Sequence, residues 1–126
     1  MDNGYELPVF EYAVYVFLKD FDNNAKENST ETITRHEPII VEYAVDNNLI
    51  NGVQAVVNPY GILVCDRDYK QELSLTERGI IYKERFEFEY AAALEHDELD
   101  YKVIKTLLRD SGILEKIYKQ REIDYK

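Results

Sequence analysis

An α+β fold is predicted by three features of this sequence. One helical apolar stripe runs from Phe10 to Phe21, a two-strand run from Val53 to Cys65 turns at Asn58-Pro59-Tyr60-Gly61, and a helix-opening block, Leu75-Thr76-Glu77-Arg78-Gly79, begins ten residues further on. With a second helix ahead of the hairpin, the order becomes helix, hairpin, helix, that of a winged helix-turn-helix domain whose wing is the hairpin, followed by a C-terminal helical extension.

Pro8 sits where a proline suits a helix start, since the first N–H groups of a helix lack partners and proline brings none. Phe10, Ala13, Val14, Phe17, Leu18 and Phe21 then recur at the 3.6-residue period, and Tyr12, Tyr15 and Val16 widen the stripe, so neighbours are expected on more than one side. Asp22 to Glu31 is polar, rich in turn formers and without apolar periodicity, which predicts a surface loop. Thr34-Arg35-His36-Glu37 has the spacing of a capping box and Pro38 follows it, a placement that also allows Glu37 to be the cap instead; either way the second main helix starts here. Ile39, Ile40, Tyr43 and Ala44 mark its inward face, Glu37, Glu42 and Asp46 its outward face, and Asn47-Asn48 its end.

Both hairpin strands, Val53 to Val57 and Ile62 to Cys65, are apolar at consecutive positions, which predicts cover on both faces, either by the helices or by another molecule. Thr76 is the expected cap of a long helix reaching Tyr90 or Leu94, with Ile80, Ile81, Tyr82, Phe86 and Tyr90 on its buried side. A last helical region carries Leu99, Val103, Ile104, Leu107 and Leu108, stops at Ser111-Gly112, and resumes with Ile113, Leu114, Ile117 and Tyr118. No internal repeat or low-complexity tract divides the chain, so residues 1–96 form the winged-helix domain and 97–126 its extension within one compact unit.

At 126 residues, 45% of them hydrophobic, the chain can bury one core without a metal or disulfide. Cys65 is the only cysteine and lies in an apolar run, where a thiol is a small buried hydrophobe. The longest apolar stretch, Tyr12 to Leu18, falls well short of the ~20 residues of a membrane span, and no basic segment opens the chain, so a cytoplasmic protein is expected. The net charge of −10 divides unevenly: −7 over residues 1–52, −6 over 53–100 and +3 over 101–126. An acidic body repels a phosphate backbone, whose binding draws on cations that displace counterions, although acidity also keeps small proteins soluble.

The stretch from Ile39 to Glu84 resembles the small winged-helix proteins of the YjcQ type found in prophages of Gram-positive bacteria. The matching features are the apolar helix ending in asparagines, the entry Ile50-Asn51-Gly52 to the hairpin, and the block Leu75 to Gly79 followed by an aromatic at Tyr82. The resemblance implies a winged-helix fold and a mobile-element origin, and it supplies no settled activity. The long loop before Thr34 and the region after Tyr90 depart from it.

No catalytic residues, cofactor or metal site are assigned. His36 and His96 stand in no spacing that joins a nucleophile to a base or converges metal ligands, and Asp66-Arg67-Asp68 and Asp97-Glu98 lack a glycine-punctuated ligand loop. The expected activity is regulatory protein binding, with Glu37, Glu42, Asp46, Tyr60 and Tyr118 as partner contacts and Tyr125 as a further surface tyrosine. The apolar stripes of the C-terminal helices predict a homodimer joined through them. One alternative is an acidic inhibitor of a host nucleic-acid-binding enzyme, such as a CRISPR effector nuclease, with carboxylates occupying a cationic groove. Another is a transcription regulator that uses Lys102, Lys105 and Arg109 on DNA; a solvated helix face gives the same spacing.

Overall fold

The computed structural model describes residues 8–94, 101–121 and 124–125, and they form an α+β fold. Pro8 takes the N-cap position of α1 (Val9–Ala25) at φ −66°, and Tyr12, Ala13, Val14, Tyr15, Phe17, Leu18 and Phe21 are all buried. So wide a stripe makes α1 the central helix, packed by elements from both halves of the chain. It runs past the predicted loop start at Asp22, because Asn24 donates to both the backbone and the carboxylate of Asp20 and carries the last turn. Asn28, at φ +55°, then turns the chain into the short α2 (Glu31–Arg35).

The predicted capping box does not form. Thr34 lies within α2, its hydroxyl donating to the Glu31 carbonyl at 3.1 Å, and Glu37 occupies the N-cap of α3 (Pro38–Asp46) without a side-chain capping bond. Ile39, Ile40, Val41, Glu42 and Ala44 are buried, leaving α3 almost enclosed.

After α3, β1 (Ile50–Asn51) and β2 (Val53–Val57) lead into a turn that Asn58 organises: its Oδ1 accepts from the N–H of Tyr60 and of Ile62. β2 pairs antiparallel with β3 (Ile62–Arg67), with Val53 opposite Arg67, Ala55 opposite Cys65 and Val57 opposite Leu63. β1 pairs with β4 (Ser74–Leu75), which closes the loop between β3 and β4. The Arg67 guanidinium fills that loop, donating to the carbonyls of Gly52, Asp68 and Gln71 and lying over the Tyr69 ring. Gly52, at φ +88°, makes room for it. The hairpin is not covered on both faces as its composition predicts: Leu63 is buried, whereas Gln54, Val56 and Val57 are exposed.

Thr76 caps α4 (Glu77–Glu89), accepting from the Gly79 N–H at 3.0 Å, while its own hydroxyl donates to the Asn48 carbonyl at 2.6 Å. Gly79 is required by the same contact, since a Cβ there would overlap the Leu49 carbonyl. The helix turns at Tyr90 into α5 (Ala91–Leu94). Of the residues expected on the buried side of α4, Phe86 is buried and Tyr82 and Tyr90 partly so, but Ile80 and Ile81 are exposed.

α6 (Tyr101–Asp110) and α7 (Ile113–Arg121) follow, and β5 (Asp124–Tyr125) runs parallel to β3 on the side away from β2. Ile104, Leu108, Leu114 and Tyr118 join the same core as α1 and α3. Of the apolar stripes expected to join two copies through the C-terminal helices, these four residues are therefore covered by their own chain. Leu107, at 37% exposure, is the exception among the described residues there. Among those residues no helix is long and apolar enough to cross a membrane.

Candidate functional site

Whether α3 offers a surface depends on what surrounds its first turn and its charged residues. Arg35 and His36, the basic residues at its entrance, both turn to α1. Arg35 binds both oxygens of the Asp20 carboxylate, through Nε at 2.9 Å and Nη2 at 2.7 Å, and His36 Nε2 lies 2.8 Å from Oδ2, the oxygen that Arg35 Nε also reaches. His36 is buried edge-on against Phe17. Burial depresses its pKa, an effect only partly offset by Asp20, so the ring is neutral and donates to the carboxylate. Burial alone would raise the Asp20 pKa, but hydrogen bonds from His36 and Arg35 hold it below the usual carboxylate range.

The carboxylates read as an outward face are mostly withdrawn. Glu42 is only 7% exposed, and Glu37 is half-buried, with Oε2 sealed and lacking a hydrogen-bond partner among the described residues. Asp46 alone of the three stands on the surface. Burial raises the Glu37 pKa against the opposing fields of Lys105 and Arg109. The basic stripe of α6 thus comes beside the acidic helix within one molecule: Lys102 and Arg109 are exposed, Lys105 is half-buried, and the fields of Lys105 and Arg109 reach Glu37.

Tyr118 is withdrawn as well. It is 6% exposed, and its phenolic oxygen accepts from the Ile39 N–H at 3.2 Å, in the first turn of α3. Sequence spacing assigned it to the surface because nothing local shows that a helix end 79 residues earlier needs an acceptor. Tyr60, at 86% exposure, does stand free at the hairpin tip. The side chains of Tyr125, His96 and Leu99 lie outside the described residues, as does the pair Asp97-Glu98.

The open concavity is elsewhere. A groove of about 540 Å³ runs between α4 and the start of α1, floored by Leu49, Tyr82, Phe86 and Tyr90 and rimmed by Pro8, Glu11, Arg78, Ile81, Arg85 and Glu89. Its aromatic floor is fixed from below: Phe86 stacks on Tyr15 at 4.8 Å and on Tyr12 at 5.8 Å, and Tyr90 tilts against it at 4.5 Å. Two hydroxyls lock the frame, Tyr15 donating to Glu87 at 2.8 Å and Tyr82 to the Glu11 carbonyl at 3.1 Å. Burial, reinforced by neighbouring acidic or phenolic groups, raises both phenol pKa values and keeps them protonated.

On α4, Arg78, Ile81 and Arg85 of the rim and then Phe88 beyond it follow one another at three, four and three residues, the spacing of a helical seam, and all four are exposed. Phe88 is 85% exposed, a large apolar side chain left in water. That spacing is present in the sequence, but Ile80 and Ile81 read equally well as core. Nothing local shows that the buried side of α4 turns on Phe86.

Such a groove suits apolar side chains flanked by carboxylates. The His36–Asp20 pair is not among the residues that line it. Cys65 is half-buried, its thiol pushed up to about 12 by burial and by Glu42, Asp66 and Asp46, which leaves it a poor nucleophile. Among the described residues no three His, Cys, Asp or Glu side chains converge as metal ligands. The chain matches no family model, no curated protein and no solved structure.

Proposed function

We propose that this chain is a cytoplasmic, non-catalytic winged-helix module, YjcQ-like in its central third, that regulates by binding another protein through the α4 groove. The supporting observation is an inversion of exposure. The helix that would enter a DNA groove, α3, is enclosed, and the basic residues at its entrance are spent on Asp20, while the helix after the wing presents Ile81 and Phe88 to solvent. A recognition helix needs base-reading side chains and flanking cations. Of the acidic side chains at α3 only Asp46 reaches the surface, and the helix has no Lys or Arg, whereas α4 carries what a partner helix needs: apolar anchors spaced by two turns, with Arg78 and Arg85 between and beside them. The partner surface that fits is a helix with one apolar edge and nearby carboxylates.

A photo-crosslinking amino acid at position 81, in the host that carries the chain, tests this reading. The expected result is one defined protein adduct, lost on R78E/R85E and absent when the crosslinker stands at Asp46. Adducts that form from position 46 and not from 81 would overturn it.

A further inference from the structure

The hairpin has two edges, and they differ. β3 carries β5 on its outer side, whereas the outer side of β2 carries no strand among the described residues. Two bonds fix the direction of the β2 backbone groups. The Asp68 N–H donates to the Gly52 carbonyl, and the Asn58 N–H donates to that of Ile62, each at 2.8 Å. Hydrogen-bonded pairs alternate along an antiparallel ladder, so Gln54 and Val56 bond toward β3 while Ala55 and Val57 aim their N–H and C=O groups outward. No hydrogen bond reaches the backbone of either among the described residues.

Edge strands are ordinarily protected by charge, an internal proline, a bulge or a covering segment. Val53-Gln54-Ala55-Val56-Val57 has no charge and no proline, and Val56 is 55% exposed. Its own sequence is the complement it needs. Placed antiparallel to itself about a two-fold axis at Val56, β2 sets Val56 opposite Val56 of a second copy, Ala55 opposite Val57, and Gln54 opposite Asn58. No like charges face each other, and the outward groups of Ala55 and Val57 close on one another.

We infer that the β2 edge is a homodimer interface, two hairpins joining into one continuous sheet across Val56. This surface is separate from the α4 groove and does not depend on it. Each copy carries −10, so long-range repulsion opposes pairing and salt relieves it: the dimer strengthens as ionic strength rises.

The test measures mass in solution and checks register by crosslinking. Sedimentation velocity of the wild-type chain is expected to show a monomer–dimer equilibrium that shifts toward dimer with added sodium chloride. V56K sets two ammonium groups opposite each other, and V57P removes an N–H that points away from β3; both are expected to be monomeric with the far-UV spectrum unchanged. In a C65S background, V56C is expected to form a disulfide-linked dimer under mild oxidation, since directly opposed residues of this pair type lie ~4.5 Å apart at Cα, within disulfide reach. Q54C is not, because it faces Asn58. A wild-type chain that stays monomeric at high micromolar concentration in every salt overturns the inference. So does a dimer that survives V57P, or equal crosslinking from positions 54 and 56.

Discussion

The phenolic oxygen of Tyr118 accepts a hydrogen bond from the backbone N–H of Ile39 at 3.2 Å, standing in for the capping side chain that Glu37 does not supply. The C-terminal helices are thereby tied to the first turn of α3, and the N-terminal half of the fold is completed by its tail.

Removing that acceptor leaves a buried N–H without a partner, which costs about 1–3 kcal/mol. Tyr118→Phe is therefore expected to lower the urea midpoint without changing the far-UV circular dichroism spectrum, and deletion of residues 113–126 is expected to cost more. A midpoint equal to wild type for the phenylalanine variant would show that the bond contributes nothing.

The Asp20 hub predicts a direction for pH dependence. The folded pKa of His36 lies below its ordinary 6.5, so the unfolded chain takes up the proton first as pH falls. Its contribution to stability is complete above 6.5 and is lost as pH drops toward the folded value. Asp20 acts in the same sense at lower pH, present above 3.8 and lost as pH falls through its depressed folded value. Glu37 has the opposite sign, with a contribution complete below 4.5 and lost as pH rises through its raised folded value. Denaturation midpoints are thus expected to fall between pH 7 and 5. In His36→Gln, whose amide nitrogen takes the place of Nε2 beside Asp20, that slope should flatten; an unchanged slope would exclude His36 as its source.

Glu37 also reports on the cations of α6. Loss of either Lys105 or Arg109 removes a field that lowers its pKa, so Lys105→Ala and Arg109→Ala are each expected to raise its titration midpoint. Carboxyl carbon NMR reads this directly. Midpoints unmoved in both variants would mean that the basic stripe does not act on α3.

At the α4 entrance, Gly79→Ala forces a methyl group against the Leu49 carbonyl and is expected to cost about 1–3 kcal/mol, as overpacking does. Thr76→Ala removes a cap and should cost about 1 kcal/mol. Thermal denaturation of both variants checks the order, and Gly79→Ala as the milder of the two would contradict it.

Much of the fold was legible because local chemistry decides it. The period of α1, the Asn58 turn and the Thr76 cap are each specified by residues adjacent in sequence, and the folded chain uses them as read. The candidate site was less legible because exposure is a tertiary property. Glu42 belongs to a residue type that usually faces water and Tyr118 to one that faces it in part, yet α3 is wrapped by α1 and the hairpin, and Tyr118 reaches its first turn from α7. Ile81 and Phe88 belong to types that usually face inward, yet α4 is the outer helix of its layer and spends its one deep contact on Phe86. The acidic and basic clusters, read as separate surfaces for different partners, meet around Glu37.

The claim that α3 is closed and that the working surface lies on α4 is tested most directly by fluorescence anisotropy of a labelled mixed-sequence duplex titrated with the full chain at physiological salt. The trace is expected to stay flat, because neither the cations nor the exposed face of a recognition helix are presented. Saturable binding that weakens steeply with added salt would contradict the account and return the chain to DNA recognition.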